Sequence, residues 1–166
     1  MTFDPITIFA ILVAFALGGT LKGATGAGAP IITIPVIAAF YDVRIAVIIM
    51  VIPNLLTNIS QIYQFRKTIL PIFFTFSFAL GGGIGAFFGT ILLINLPIKI
   101  LTLSVAFIVI IYIALKLIVP SWKLAYQRAS KLVFIMGAGG GVLQGSAGLS
   151  APVSITFLNS MKLERN

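Results

Sequence analysis

The sequence predicts an all-α integral membrane protein: a polytopic helix bundle of two related modules, each opening with a glycine-broken helix, the second module incomplete. Three observations predict it. First, 60% of the 166 residues are hydrophobic and only 8% are charged, against roughly a quarter charged in a soluble domain, and the mean hydropathy is +1.18. Second, the few charges sit singly or in twos between long neutral stretches. Third, a glycine-rich motif recurs 122 residues further along the chain. A soluble fold of this size buries only about 70% of its surface, too little to hide so much apolar side chain.

The neutral stretches run over 5–21, 23–41, 45–65, 68–98, 100–115 and 132–161, and a helix needs about 20 apolar residues to cross a bilayer. An apolar run ahead of Ala16 and Gly18 also fits a signal peptide, but the basic leader of such signals is missing. Segment 45–65 fits one helix, and 100–119 fits another if Lys116 snorkels to the headgroups. The stretch 68–98 is too long for one straight helix, and with Pro71, GGGIGAFFG and Pro97 it predicts a tilted or kinked span. Tyr41, Tyr63, Trp122 and Tyr126 fall near the inferred boundaries, as an interfacial aromatic belt would. The resulting division is a first transmembrane module over 1–119, a basic loop over 120–131 and the start of a second module over 132–166.

If 6–40, 45–65, 69–95, 98–119 and 132–160 each cross once, Arg66, Lys67, Lys116, Lys123, Arg128 and Lys131 share one side, with Arg44 and Lys99 opposite. Lys162 and Arg165 join the smaller group. The excess makes the 66–67 and 116–131 loops, and with them the N-terminus, cytoplasmic by the positive-inside rule, in a multi-pass protein of the inner or plasma membrane. The count assumes that neither glycine-rich segment dips in and returns on the same side.

Residues 18–30 read GGTLKGATGAGAP and residues 140–152 read GGVLQGSAGLSAP, identical at seven of thirteen positions without a gap. Each copy sets helix breakers between two apolar arms, which predicts a helix, an unwound loop and a half-helix opened by Pro30 or Pro152. Unwound backbone survives in hydrocarbon only when buried in protein or lining a wet cavity. Paired interruptions in two halves point to a transporter binding site, where free N–H groups and half-helix dipoles favour an anion. Packing alone explains Gly81, Gly85 and Gly89, whose four-residue spacing makes a small-residue face. Gly137, Gly141 and Gly145 repeat it. A nucleotide-binding glycine loop is excluded, because no strand precedes the motif and no Gly-Lys-Ser/Thr follows.

Lys22 is the one cation between two neutral arms, a functional candidate unless it snorkels out. Gln144 stands at its equivalent in the second copy. Asn54, Thr57, Asn58 and Gln61, at i, i+3, i+4 and i+7, share one helix face, which either holds helices together or lines a hydrated path. The acids Asp4, Asp42 and Glu164 all lie at segment ends, so no carboxylate inside a span carries protons or sodium, and potential-driven anion export is expected. With no Cys and no His the chain offers no disulfide, thiolate or imidazole chemistry, so neither an enzyme nor a cofactor is expected. The +8 formal charge is spread over loops rather than gathered in a patch, which argues against nucleic acid.

At KGATGAGAPIITIPVIAAF, AVIIMVIPNLLTN and GVLQGSAGLSAPVSITFL the sequence resembles the TauE/SafE family of sulfite exporters and related anion permeases, over nearly the whole chain. The resemblance implies two modules of about four helices each and transport of a small, often sulfur-containing anion such as sulfite, a sulfonate or sulfoacetate. It also implies a site between the two motifs, carried on Lys22, Gly23, Thr25, Gly26, Gly28 and Pro30 and on Gln144, Gly145, Gly148, Ser150 and Pro152. Together with Asn54, Thr57, Asn58, Gln61 and Ser146, these motif residues other than the prolines make up the expected substrate-binding set. The chain stops at Asn166, just past the second motif, so a fragment, a homo-oligomer or a completing partner chain is expected. The competing function is a non-transporting membrane protein whose polar stripes and glycine faces serve helix assembly.

Overall fold

The structure, a computed structural model, describes residues 4–68, 70–118 and 123–161. Trp122, Lys162 and Arg165 and the side chain of Lys116, which entered the belt and charge expectations, lie outside the described residues. The described residues form seven α-helices and no strand: α1 (Pro5–Thr25), α2 (Ala29–Phe40), α3 (Val43–Phe65), α4 (Ile72–Asn95), α5 (Ile98–Ile118), α6 (Tyr126–Ala147) and α7 (Ala151–Ser160), with a 3-10 turn at Arg66–Thr68 after α3. Four of them, α1, α3, α4 and α5, are long and apolar enough to cross a membrane.

Local chemistry sets the ends. Pro5 opens α1, where its missing N–H costs nothing. Asp42 caps α3, its carboxylate accepting from the Ile45 amide at 3.0 Å. The long stretch 68–98 becomes one helix because its two prolines fall outside it, Pro71 as the N-cap and Pro97 beyond the C-cap. GGGIGAFFG therefore lies in the helix interior. At the other boundary α6 begins at Tyr126, so Arg128 and Lys131 ride on its first turns rather than in a loop.

The two glycine-rich segments do not each cross once. Gly26, in the left-handed region at φ 81°, ends α1, and Gly28 at φ 108° turns the chain into α2, with Pro30 in its first turn. The Thr33 hydroxyl on α2 reaches the Ala14 carbonyl of α1 at 3.4 Å, and Gly18 of α1 faces Ala29 of α2. Rising numbers on one helix meet falling numbers on the other, so α1 and α2 are an antiparallel hairpin. The second copy repeats it: Gly148 ends α6 at φ 69°, and α7 runs back until the Leu124 amide donates to the Ser160 carbonyl at 2.7 Å. Each segment returns to the side it left.

This changes the topology. Between the hairpins lie three long helices, α3, α4 and α5, that run alternately up and down the bundle, and an odd number of such passes inverts the second copy relative to the first. The hairpins enter from opposite ends of the bundle. The N-terminus of α1 stands at the end that carries Arg44 and Lys99, opposite the 66–67 turn, so the expectation that the N-terminus and that turn share a side is corrected. The cause is the left-handed glycine pair, which reverses the chain where a count of apolar residues assumes that it continues.

In lipid, helices gain little hydrophobic energy from meeting, and close packing takes over. Helices α4 and α6 run parallel with glycine against backbone: Gly81, Gly85 and Gly89 face Phe134, Ala138 and Val142, while Gly137, Gly141 and Gly145 face Phe78, Gly82 and Ala86. The packing reading of both stripes holds. Phe157 of α7 stacks on Phe74 and Phe78 of α4 at 6.2 and 6.3 Å between ring centres. A second cluster, around Ile34, Ile37, Val47, Leu101 and Leu149, joins both hairpins to α3 and α5.

Arg44 ties two helix ends together, its guanidinium donating to the carbonyls of Leu93 (2.9 Å), Ile94 (3.1 Å) and Leu96 (2.7 Å) at the end of α4. Those carbonyls have no partner within the helix and form the negative end of its dipole. Arg44→Ala should destabilise the fold by about 2–3 kcal/mol, through lost hydrogen bonds to a charged donor, and this is read as a lower thermal midpoint in detergent. Arg44→Lys, with no planar fork, should recover only part of that loss.

A candidate anion site between two hairpin tips

Lys22 lies in the last turn of α1, 6% exposed, and its ammonium donates to Asn54 Oδ1 (2.8 Å), Thr57 Oγ1 (2.7 Å) and Asn58 Oδ1 (2.7 Å) on α3. An ammonium has three protons, and all three are used. Placing a charged lysine at the centre of a bilayer costs upward of about 2.5–3.5 kcal/mol. Three hydrogen bonds to a charged donor, at about 1.5–3 kcal/mol each, offset that cost. Lys22 does not snorkel: it turns inward to α3, and the three residues spaced i, i+3, i+4 are what it meets. Gln61, one turn further along, donates from Nε2 to the Gly26 carbonyl at 2.8 Å and ties the first tip to the same face.

Two cavities meet at this lysine. The larger, about 540 Å³, lies between α1 and α3 and is lined by Lys22, Gly23, Thr25, Gly26, Asn54, Thr57 and Gln61 among others. The smaller, about 150 Å³, lies between the two tips and is lined by Lys22, Gly26, Gly28, Asn54 and Asn58 from one side and by Gln144, Ser150 and Ser154 from the other. Lys22, Gly26 and Asn54 line both. Two half-helices thus open on one small cavity from opposite ends of the bundle, α2 beginning at Ala29 and α7 at Ala151. Helix N-termini attract anions.

Several of the expected residues also shape the tips and the helix packing. Thr25 Oγ1 closes the first loop onto the Leu21 and Ala27 carbonyls at 2.8 and 2.6 Å. Gln144 Oε1 accepts from the Ser150 amide at 3.3 Å and steadies the second. Gly145 is helix interior packed on Ala86 and Thr90 of α4, and Ser146 spends its hydroxyl on the Val142 carbonyl at 2.7 Å. Gly148 makes the turn and packs against Ile34 and Val47. Neither cavity is lined by these last three.

Three polar lining residues were not expected from the sequence. Ser60 and Gln64 extend the α3 stripe by i+3 and i+7 from Thr57, so the spacing that found Asn54 and Asn58 also contains them. Ser154 lies one turn beyond Ser150 on α7. It carried no signal of its own, because only a return of the chain brings it to the first tip.

The family model for sulfite exporter TauE/SafE matches residues 10–164, both glycine tips and all the helices between them. No curated protein and no solved structure matches. A match over so much of the chain settles the family: the chain belongs to the TauE/SafE sulfite exporters, a family of membrane transporters.

Proposed function

We propose that this chain carries a small sulfur-containing anion, sulfite or a sulfonate, across the cell membrane through the cavities at Lys22, with the N-terminal side of the bundle facing away from the cytoplasm. The observation that carries the reading is the Lys22 ammonium, buried at the meeting point of two inverted hairpin tips with neutral partners only. A cation kept in a membrane interior without a carboxylate leaves a positive potential for a ligand to neutralise. Asn54, Thr57, Asn58 and Gln61 hold or flank that cation, and the α2 and α7 N-termini add oriented N–H groups. The charge excess at 66–67, 123, 128 and 131 makes that end the cytoplasmic one.

A second reading keeps a specific observation in its favour: Lys22 joins α1 to α3 through three hydrogen bonds, as a purely structural strut would. Flux separates the two. Protein reconstituted in liposomes should move sulfite and methanesulfonate, and the structural reading predicts no flux of any anion. The driving force follows from the same residues. A monovalent anion gains about 2.3 kcal/mol per 100 mV on leaving a negative interior, and the spans of this chain hold no acid to bind a proton or sodium. Flux should therefore follow an imposed potassium-diffusion potential and persist when proton and sodium gradients are collapsed; electrically silent flux that stops with the proton gradient would contradict it.

A further inference from the structure

Resting on the anion reading of this site, we infer that the site selects by charge state: it takes a monovalent oxyanion, a sulfonate or hydrogensulfite, and rejects the dianion of similar shape. Among the described residues Lys22 is the only ionisable group lining either cavity. Asp4 and Asp42 lie at the Arg44 end of the bundle, Asp42 engaged as the cap of α3. Helix dipoles add no formal charge to the sum. Each tip brings the C-terminus of one helix as well as the N-terminus of the next, α1 with α2 and α6 with α7, so the termini supply partial charges of both signs and no whole charge. One unit of positive charge remains. A monoanion makes the occupied site neutral, whereas a dianion leaves an uncompensated negative charge in a region of low dielectric, where charge interactions are strongest.

The hydrogen bonds say how such an anion is held. All three ammonium protons are taken, so Lys22 acts through its field while other donors touch the ligand. Lysine can only donate, so Asn54 and Asn58 must turn their oxygens toward it. That fixes their carboxamide nitrogens away from Lys22, as two N–H₂ donors one helical turn apart on the cavity-lining face of α3. Two neutral donors beside one cation suit a singly charged sulfonyl head. Gln144, the equivalent of Lys22 in the inverted copy, also lines the small cavity and is neutral, so charge selectivity is set by the difference between the two copies.

The test compares near-isosteric anions at one neutral pH by calorimetric titration of the purified full chain: methanesulfonate and methyl sulfate as monoanions, sulfate as the dianion. The monoanions should bind at least about tenfold more tightly than sulfate. Gln144→Lys, which places a second cation at the equivalent position, should shift the preference toward sulfate by about tenfold or more, and Lys22→Gln should weaken all three ligands. Sulfate binding as tightly as methanesulfonate in the wild type, with both weakened by Lys22→Gln, would overturn the charge selection and leave the anion site standing. Equal binding by wild type and Lys22→Gln, or no binding of any of the three, would overturn the anion site and this inference with it. If Gln144→Lys does not fold, the wild-type comparison alone decides.

Discussion

Lys22→Gln should lower anion affinity and flux about a hundredfold or more, while Lys22→Arg keeps most of both. Glutamine can still donate two of the three hydrogen bonds to Asn54, Thr57 and Asn58, so the strut between α1 and α3 largely survives. The charge does not. With the ammonium protons occupied, a bound anion sits on the neighbouring amides, roughly 5 Å away, where a unit charge at an effective dielectric near 20 contributes about 3 kcal/mol. The measurement is uptake into liposomes at matched protein content, with thermal midpoints in detergent as the control for folding. Similar losses in the glutamine and arginine variants would assign Lys22 to geometry rather than charge.

Gly85→Leu should be the most damaging substitution for stability. A Cβ at Gly85 would stand 2.8 Å from the Ala138 carbonyl carbon and 2.9 Å from the Val142 amide nitrogen, closer still to the Ala138 oxygen. These are backbone atoms of α6, which cannot step aside as a flexible side chain can. Relief requires separating α4 from α6 along their whole parallel contact, so the loss should reach or exceed about 3 kcal/mol, the upper part of the range for overpacking. Gly83, on the same helix with nothing near its Cβ position, is the control: Gly83→Ala should be neutral or slightly stabilising through helix propensity. Thermal unfolding of the two variants in detergent, side by side, reads the difference directly.

The membrane class, the long spans and the polar face of α3 were legible in the sequence because each depends on local composition or on helical spacing. Asn54, Thr57 and Asn58 share a face by arithmetic, and the matched glycines at Gly26 and Gly148 marked where two helices end. What was not legible was direction. Hydropathy measures how long an apolar stretch is, and a stretch that crosses has the same composition as one that turns at Gly26–Gly28 and comes back. The inversion of the second copy, the side of the N-terminus and the arrival of Ser154 at the first tip all follow from that one reversal. Gly145 belongs to two patterns at once: it sits in the spacing that the two motifs share and in the Gly137, Gly141, Gly145 register, whose contact with Ala86 and Thr90 emerges only once α4 and α6 are packed side by side.

Whether the α3 face beside Lys22 is a wet, anion-accessible wall is decided by single cysteines placed along 52–63. In intact liposomes a membrane-impermeant thiol reagent should modify cysteines at 54, 57, 58 and 61, four polar positions that line the two cavities. Sulfite or methanesulfonate should slow the reaction at 54 and 58. Cysteines at Leu55, Leu56 and Ile59, exposed in the isolated chain but on the side away from both cavities, should stay unreacted in the bilayer. Uniform protection at all seven positions, with or without anion, would contradict the account and leave Lys22 and its three partners as helix glue.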